Sequence, residues 1–506
     1  MNKNKELVIN MSASILAYVI NFAISFFLSP YIVKNVGVDA YGFVGLANNF
    51  ISYATLITIA VNAMASRFVT IKLCEKDYDG ANKYFSSVFI ANTFLATVMG
   101  VAFIAIWLFL EKLINIPQNI FWDVKILFAM LFLNCVLSTM CSIFSVATFA
   151  TNKLYLASIR SIESHALKAL IVVPLFILFA PRVSFLGVST LLCGIYVIVF
   201  NIYYTKKLLP DIKIRKKHFD FKAIKELVAS GVWSLINRVG QLLLDGLDLL
   251  ITNLFINPIA MGVLSLAKTI PSIMNGIIGS TVSVFSPNFT FLYAEKKQDE
   301  LVLSVKRSMR IMGVIANLPV IVLIVCGELF FSLWQPTQNS AELHLLSVLT
   351  CGTIIFSGGI NCIYNIFTVV NKLKVNSLVV VGSGALNALI VFILLKTTSL
   401  GIYAVAGVST VLSIIRNLAF TAPYGARCLK LKWYAFYPDI ARPVIFVIIS
   451  VAIGYVIKQF VTFSGWLGLI AQAALIGAIA VFIGLFIMLS KAERKIVLSK
   501  FKRGKH

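Results

Sequence analysis

The chain is 506 residues long, 59% of them hydrophobic and only 13% charged, with a net charge of +24. A soluble domain carries about 25% charged residues, so this composition excludes a soluble enzyme and predicts an all-α polytopic membrane protein with no sizeable soluble domain. The basic excess would point to nucleic acid in a soluble chain; here it is expected to sort by membrane side, which makes the bilayer the partner and leaves nucleic acid no role.

The first apolar run starts near residue 7 and continues to Ser29. It is too long for a signal-peptide core and no small-residue cleavage site follows, so it is predicted to stay as the first span. Since about 20 apolar residues cross a bilayer, the pattern predicts fourteen spans, at 7–29, 42–65, 84–110, 124–150, 156–180, 184–205, 228–256, 260–290, 311–334, 343–370, 375–395, 401–421, 441–460 and 466–489. The fifth carries Arg160, Glu163, His165 and Lys168 in its first turns, which are expected at the interface.

Lysine and arginine set the orientation. With the N-terminus inside, 35 of the 44 basic residues fall in inside segments and six outside, while Arg238, Lys268 and Arg416 lie within spans. Both termini are therefore expected in the cytoplasm. Richness in Lys, Ile, Asn and Phe suggests an AT-rich bacterial genome and no more. The eight cysteines form no C-x-x-C, which suggests neither disulfides nor a metal site. No phosphate-binding G-x-x-x-x-G-K-[ST], no H-E-x-x-H and no nucleophile elbow occurs. The chain is predicted not to be an enzyme and to need no cofactor beyond a proton or Na⁺ gradient.

An internal repeat emerges when the chain is slid by 220 residues: Gly42, Leu46, Ala47, Thr70, Glu75, Lys76 and Asp79 land on Gly262, Leu266, Ala267, Thr290, Glu295, Lys296 and Asp299. The second span then matches the eighth, and an even offset implies a parallel repeat. The predicted division is an N-lobe at 1–205, a cytoplasmic inter-lobe connection at 206–227, a C-lobe at 228–424, and two further helices with a basic tail at 425–506.

The seventh span carries the most telling residues. At 100° per residue, Arg238, Gln241, Asp245, Asp248 and Thr252 fall within an arc of about 80°. A charge at bilayer depth costs roughly 2.5–3.5 kcal/mol, so such a stripe is expected to face a partner or a wet cavity. Asp248 lies about 12 Å before the turn into the eighth span and Lys268 about 14 Å after it, so Lys268 is expected to pair with Asp248 or Asp245. A buried pair can also serve packing alone. Asp245 and Asp248 are the candidates for a coupling proton or Na⁺. The repeat sets Lys268 against Asn48, an amide in the N-lobe. The amides and hydroxyls of spans 1 and 2, among them Asn48, are read either as ligand contacts or as helix glue. Arg67 and Arg416, near the cytoplasmic ends of spans 2 and 12, are read as snorkelling anchors or as captors of an anionic headgroup. Pro271, Pro287, Gly276 and Gly279 make span 8 the most interrupted and the candidate hinge, with Pro319, Gly382 and Gly384 as weaker breaks elsewhere.

Three patterns carry a family resemblance: Ser29-Pro30-Tyr31 followed by the stretch from Val36 to Gly42, Ser66-Arg67-Phe68, and Gly262-x3-Leu266-Ala267-Lys268-x2-Pro271 with Phe285-Ser286-Pro287. In these the chain resembles the polysaccharide transporters of the multidrug/oligosaccharidyl-lipid/polysaccharide exporter superfamily, in particular Wzx-type O-antigen, capsule and teichoic-acid flippases. The resemblance implies two six-helix bundles with an alternating-access cavity, and transfer of an undecaprenyl-diphosphate-linked oligosaccharide from the inner to the outer leaflet. On the residue pattern, Arg238 and Lys268 are expected to hold the anionic headgroup, Gln241, Thr252 and nearby amides to read the sugars, and Arg67 and Asn48 to be further substrate-binding candidates. Lys268 falls where the lipid II flippases carry a basic residue in helix 8. A monomer is expected, near polymerase or glycosyltransferase proteins. Drug/cation antiporters of the superfamily commonly carry an acid in helix 1, which this chain lacks. Lipid II flippases carry cavity arginines in helices 1 and 2, where this chain has only Arg67. Both remain alternatives.

Overall fold

In a bilayer the backbone must satisfy its own polar groups, and a continuous helix does so locally. The computed structural model, which describes residues 3–151, 153–283, 285–370, 372–460 and 464–488, accordingly contains helices and no strand among the described residues. The basic stretch at 491–505 lies outside them. In chain order the main helices are α1 (Lys3–Val36), α2 (Val38–Cys74), α3 (Tyr78–Leu108), α4 (Phe121–Met140, resuming at Val146–Ala150), α5 (Leu154–Leu178) and α6 (Ser184–Leu208). Next come α7 (Phe221–Gln241, a π-helical turn at Leu242–Gly246, then Asp248–Phe255) and α8 (Pro258–Ala267, Thr269–Ser283, Ser286–Ala294). The remainder are α9 (Gln298–Trp334), α10 (Ser340–Val369), α11 (Leu373–Thr397), α12 (Ile402–Arg416, a π-helical turn at Asn417–Thr421, then Ala422–Cys428), α13 (Tyr437–Phe460) and α14 (Gly465–Ile487).

Eleven of the described helices are long and apolar enough to cross a membrane, and Ile20–Val36 is a shorter apolar one. The chain is thus an all-α polytopic membrane protein. The second and seventh expected spans do not meet that measure.

Local signals act where sequence places them. Gly37 takes φ +92° between α1 and α2, a conformation side chains disfavour. Asp77 caps α3, accepting from the Gly80 amide at 2.8 Å. Pro319 does not break α9, and Gly382 and Gly384 do not break α11; both helices run through. α8 comes in three pieces, as its prolines predict.

Element boundaries repeat closely. α2 and the three pieces of α8 begin and end 220 residues apart, and α5 and α11 begin and end 219 apart. α4, taken from Phe121 to Ala150, and α10 likewise begin and end 219 apart.

Contacts divide the chain into two units, Met1–Gly262 and Val263–His506. The boundary lies later than the expected 206–227 connection, because α7 packs with the first unit. Leu227 of α7 is fully buried in one apolar cluster with Val61, Ala65 and Val69 of α2, Phe85 and Val88 of α3, and Ile143 and Val146 of α4. In the second unit α13 and α14 are not an appendage. Phe446, Val447, Leu469, Ile476 and Ala480 share a core with Ile321, Val325 and Cys326 of α9.

The basic segment at 206–227 is not a free connection, because its backbone is bound along α3. The Asn82 side chain accepts from the Lys213 amide at 2.7 Å, Ser86 accepts from the Arg215 amide at 3.3 Å, and Ser87 accepts from the Asp220 amide at 2.8 Å. Lys83 pairs with Asp220 at 3.5 Å. The Lys222 amide, with Lys83 nearby, holds the Asp220 carboxyl below the usual carboxylate range. Its contribution to the clasp is therefore complete above that range and lost as pH falls through it. Asn82→Ala removes one such bond, a net loss of about 1 kcal/mol. Hydrogen exchange at the Lys213 amide should then speed up about fivefold; an unchanged rate would show that Asn82 does not hold the segment.

Candidate functional site

The polar stripe of α7 is where charge on an apolar helix needs a reason. A regular helix would put all five stripe residues on one face. The π-turn at Leu242–Gly246 inserts extra backbone and rotates the helix beyond it. As a result Arg238, Gln241 and Asp245 are exposed, whereas Asp248 and Thr252 are 2% and 0% exposed. The single arc inferred from a period of 3.6 is split in two for that reason.

On the exposed part, Arg238 donates to the Gln241 side-chain oxygen at 3.2 Å, and Gln241 donates to Asn237 at 3.4 Å. On the buried part, the Thr252 hydroxyl is spent on the Asp248 carbonyl at 2.7 Å. A π-turn leaves backbone carbonyls without their usual partners, and Tyr53 of α2 answers one of them by donating its hydroxyl to the Gly246 carbonyl. Tyr53 and Asp248 also interact electrostatically. Tyr53 is a site residue that sequence reasoning missed; an aromatic hydroxyl in an apolar helix was its only signal.

The C-terminal end of α7 is latched within the same unit. Asn253, fully buried, accepts from the Asn115 amide at 2.8 Å, and its own carbonyl accepts from the Asn115 side chain at 2.9 Å. It also donates to the Asn115 carbonyl at 3.1 Å. Neither asparagine stands out in the sequence, because a loop residue meeting a helix residue 138 positions away leaves no periodic mark. Asn48 is exposed and turns its amide back onto its own helix, donating to the Val44 carbonyl at 2.9 Å. Among the described residues it makes no hydrogen bond to the α7 stripe. The Arg67 side chain lies outside the described residues.

In the second unit Lys268 is half-buried at the break between the first two pieces of α8. The break has an identifiable cause. Pro271 has no amide to offer the Ala267 carbonyl four residues back, and the buried Ser347 hydroxyl of α10 donates to that carbonyl at 2.7 Å instead. At the second break, Asn365 of α10 donates to the Val282 carbonyl at 3.0 Å. One helix thus closes both gaps in another. Ser347→Ala is expected to leave the Ala267 carbonyl unpaired and to cost about 1–3 kcal/mol of unfolding free energy. Adding Pro271→Ala, which supplies an amide, should recover most of the loss; no recovery would exclude this account of the break.

Lys268 belongs to the second unit and Asp245 and Asp248 to the first. Their pairing therefore remains a proposal.

Residues 7–292 match a family described as "Polysaccharide biosynthesis protein". The chain is similar to the Bacillus subtilis (strain 168) protein named "Uncharacterized membrane protein EpsK", 27% identical over 497 residues and covering 98% of each chain. Among solved structures it is similar in fold to the lipid II flippase MurJ in an inward closed conformation, with TM-score 0.67 and 13% identity over 94% of this chain and 98% of that one. It is also similar to an inward-facing multidrug resistance MATE family transporter of the MOP superfamily, with TM-score 0.66 and 12% identity over 84% and 98%. A MOP superfamily transporter from Pyrococcus furiosus matches with TM-score 0.60 and 12% identity over 83% and 95%.

Proposed function

The chain belongs to the polysaccharide biosynthesis protein family, and from that premise we propose that it is a flippase for surface-polysaccharide assembly. It moves an undecaprenyl-diphosphate-linked oligosaccharide repeat unit, destined for O-antigen, capsule or teichoic acid, from the inner to the outer leaflet of the bacterial cytoplasmic membrane by alternating access. It is a transporter and not an enzyme, with both termini cytoplasmic. The observation that carries this reading is α7, a π-interrupted membrane helix with a buried acid and an exposed cation on either side of its irregular turn. Irregular backbone at membrane depth is tolerated where it lies within protein or lines a polar path.

Arg238 in the first unit and Lys268 in the second are the cations assigned to the diphosphate. Gln241, exposed beside Arg238, is the better placed of the two sugar-reading candidates, since the Thr252 hydroxyl is already engaged. Asp248 is the preferred coupling-ion ligand, because it is the buried acid of the pair.

The reading is tested by mass spectrometry of polyprenyl-diphosphate-linked glycans in cells with and without the protein. A single lipid-linked repeat unit should accumulate on loss and clear on restoration. Accumulation of lipid II would make it a lipid II flippase. Unchanged lipid-linked glycans with altered sensitivity to cationic drugs would make it a cation-coupled antiporter, a reading that the buried Asp248 favours as second choice.

A further inference from the structure

The second unit contains another polar stripe on a π-interrupted helix, and it ends on an arginine. Along α12, Ser409, Thr410, Ser413 and Asn417 are buried at helical spacing, and Thr421 follows them. Thr410 donates to the Leu349 carbonyl of α10 at 2.7 Å. Arg416 sits at the last position before the π-turn at Asn417–Thr421. It lies 14 residues after Ile402, about 21 Å along the helix in a hydrocarbon core about 30 Å thick. On the orientation proposed above it is in the cytoplasmic half of the membrane, too deep to be at the surface.

Two other partly or largely buried arginines have acids beside them. Arg160 pairs with Glu163 at 2.6 Å, and Arg310 approaches Asp439 at 3.9 Å. Arg416 has no carboxylate partner among the described residues. Its one hydrogen bond there is a long one, from Nη2 to the Tyr364 hydroxyl at 3.5 Å. Its Nε is buried with no hydrogen-bond partner among them. Tyr364 cannot supply more: its hydroxyl donates to the Asn417 side-chain oxygen at 2.8 Å, and Thr421 donates to that same oxygen at 3.2 Å. Both neighbours are thereby fixed around the guanidinium while its own fork of donors stays almost unused. An embedded cation in that condition requires an anion. The planar fork selects one with two adjacent oxygens, which a phosphate ester provides.

We propose that Arg416, positioned by Tyr364 and the Asn417–Thr421 π-turn, forms a phosphate-ester site in the second unit that takes the diphosphate of the polyprenyl carrier in the cytoplasmic half of the membrane. The proposal rests on the flippase reading for the identity of the carrier. Arg416 contacts the anion; Tyr364 and Asn417 position Arg416.

The test uses the full-length protein in phosphatidylcholine nanodiscs titrated with farnesyl diphosphate as a short probe. Arg416→Gln is expected to weaken binding by about tenfold to a hundredfold, the loss typical of a charge-assisted contact. Arg416→Lys should fall between it and the wild type. Tyr364→Phe, which removes no bulk, should weaken binding by about threefold and keeps the test valid if Arg416→Gln does not fold. Equal binding by wild type and all three variants overturns the site and leaves the proposed function standing. No binding by the wild type overturns both. Repeating the titration in nanodiscs containing phosphatidylglycerol identifies the source. If the anionic lipid abolishes the wild-type advantage over Arg416→Gln, the site holds bulk lipid headgroups and its assignment to the carrier is overturned. A retained advantage supports the carrier.

Discussion

Gly262→Ala is expected to destabilise the first unit by about 1–3 kcal/mol, the usual cost of overpacking. A Cβ at residue 262 would stand 2.2 Å from the Val38 carbonyl oxygen and 2.7 Å from its carbon. These are backbone atoms at the first turn of α2 and cannot rotate aside. A Cβ at Gly42 would in turn meet the Gly262 Cα at 2.7 Å. The two glycines are the 220-residue repeat partners, so each copy of the motif supplies one side of a single close approach. Gly42→Ala and Gly262→Ala should therefore cost less together than the sum of their separate effects, with a coupling of about 0.5–3 kcal/mol. Gly382→Ala in α11 meets nothing within 4 Å and serves as the control, since alanine there should be neutral or stabilising by up to about 1 kcal/mol. Chemical-denaturation midpoints of the four variants decide the matter. Strict additivity would mean that the glycines do not share one contact.

Asp248→Asn is expected to uncouple transport from the ion gradient. The acid is buried in a membrane helix beside Tyr53, and the amide keeps its shape while removing the charge. One charge moved through 100 mV is worth about 2.3 kcal/mol, which corresponds to about a fiftyfold change in the steady-state distribution of substrate. In proteoliposomes Asp248→Asn should lose that factor when a gradient is imposed, while Asp245→Asn, at the exposed position, should retain most of it. The reverse result would move the coupling role to Asp245. Full gradient response in both would remove it from α7.

Much of the architecture was legible because the bilayer is a demanding solvent. An apolar stretch long enough to span it leaves an unmistakable run, and Pro271 marks the α8 break because the missing amide is written in the residue type. The repeat was legible from seven identities and reappears in helix boundaries that neither lobe could set alone. The π-turn in α7 left no such mark. One extra residue in a turn changes neither hydropathy nor composition, yet it turns Asp248 and Thr252 away from Arg238, Gln241 and Asp245. The allocation of α7 to the first unit was hidden for a related reason. Leu227 looks like any apolar residue, and only its neighbours on α2, α3 and α4 show which core it completes. Arg416 was visible as a charge, but its lack of an acid among the described residues is a statement about three dimensions.

The seam of the repeat and the seam of the packing do not coincide, and this bears on how the protein is made. Six helices leave the ribosome before α7 exists, yet the first unit closes only at Gly262. At about 5–20 residues per second, the stretch from residue 206 to Gly262 takes about 3–11 s to synthesise. Until α7 is made within that interval, the nascent N-terminal half waits in the bilayer with the Leu227 position of its core unfilled. Premature termination before α7 is complete would release a half-protein lacking the helix that fills its core, a natural substrate for membrane quality control.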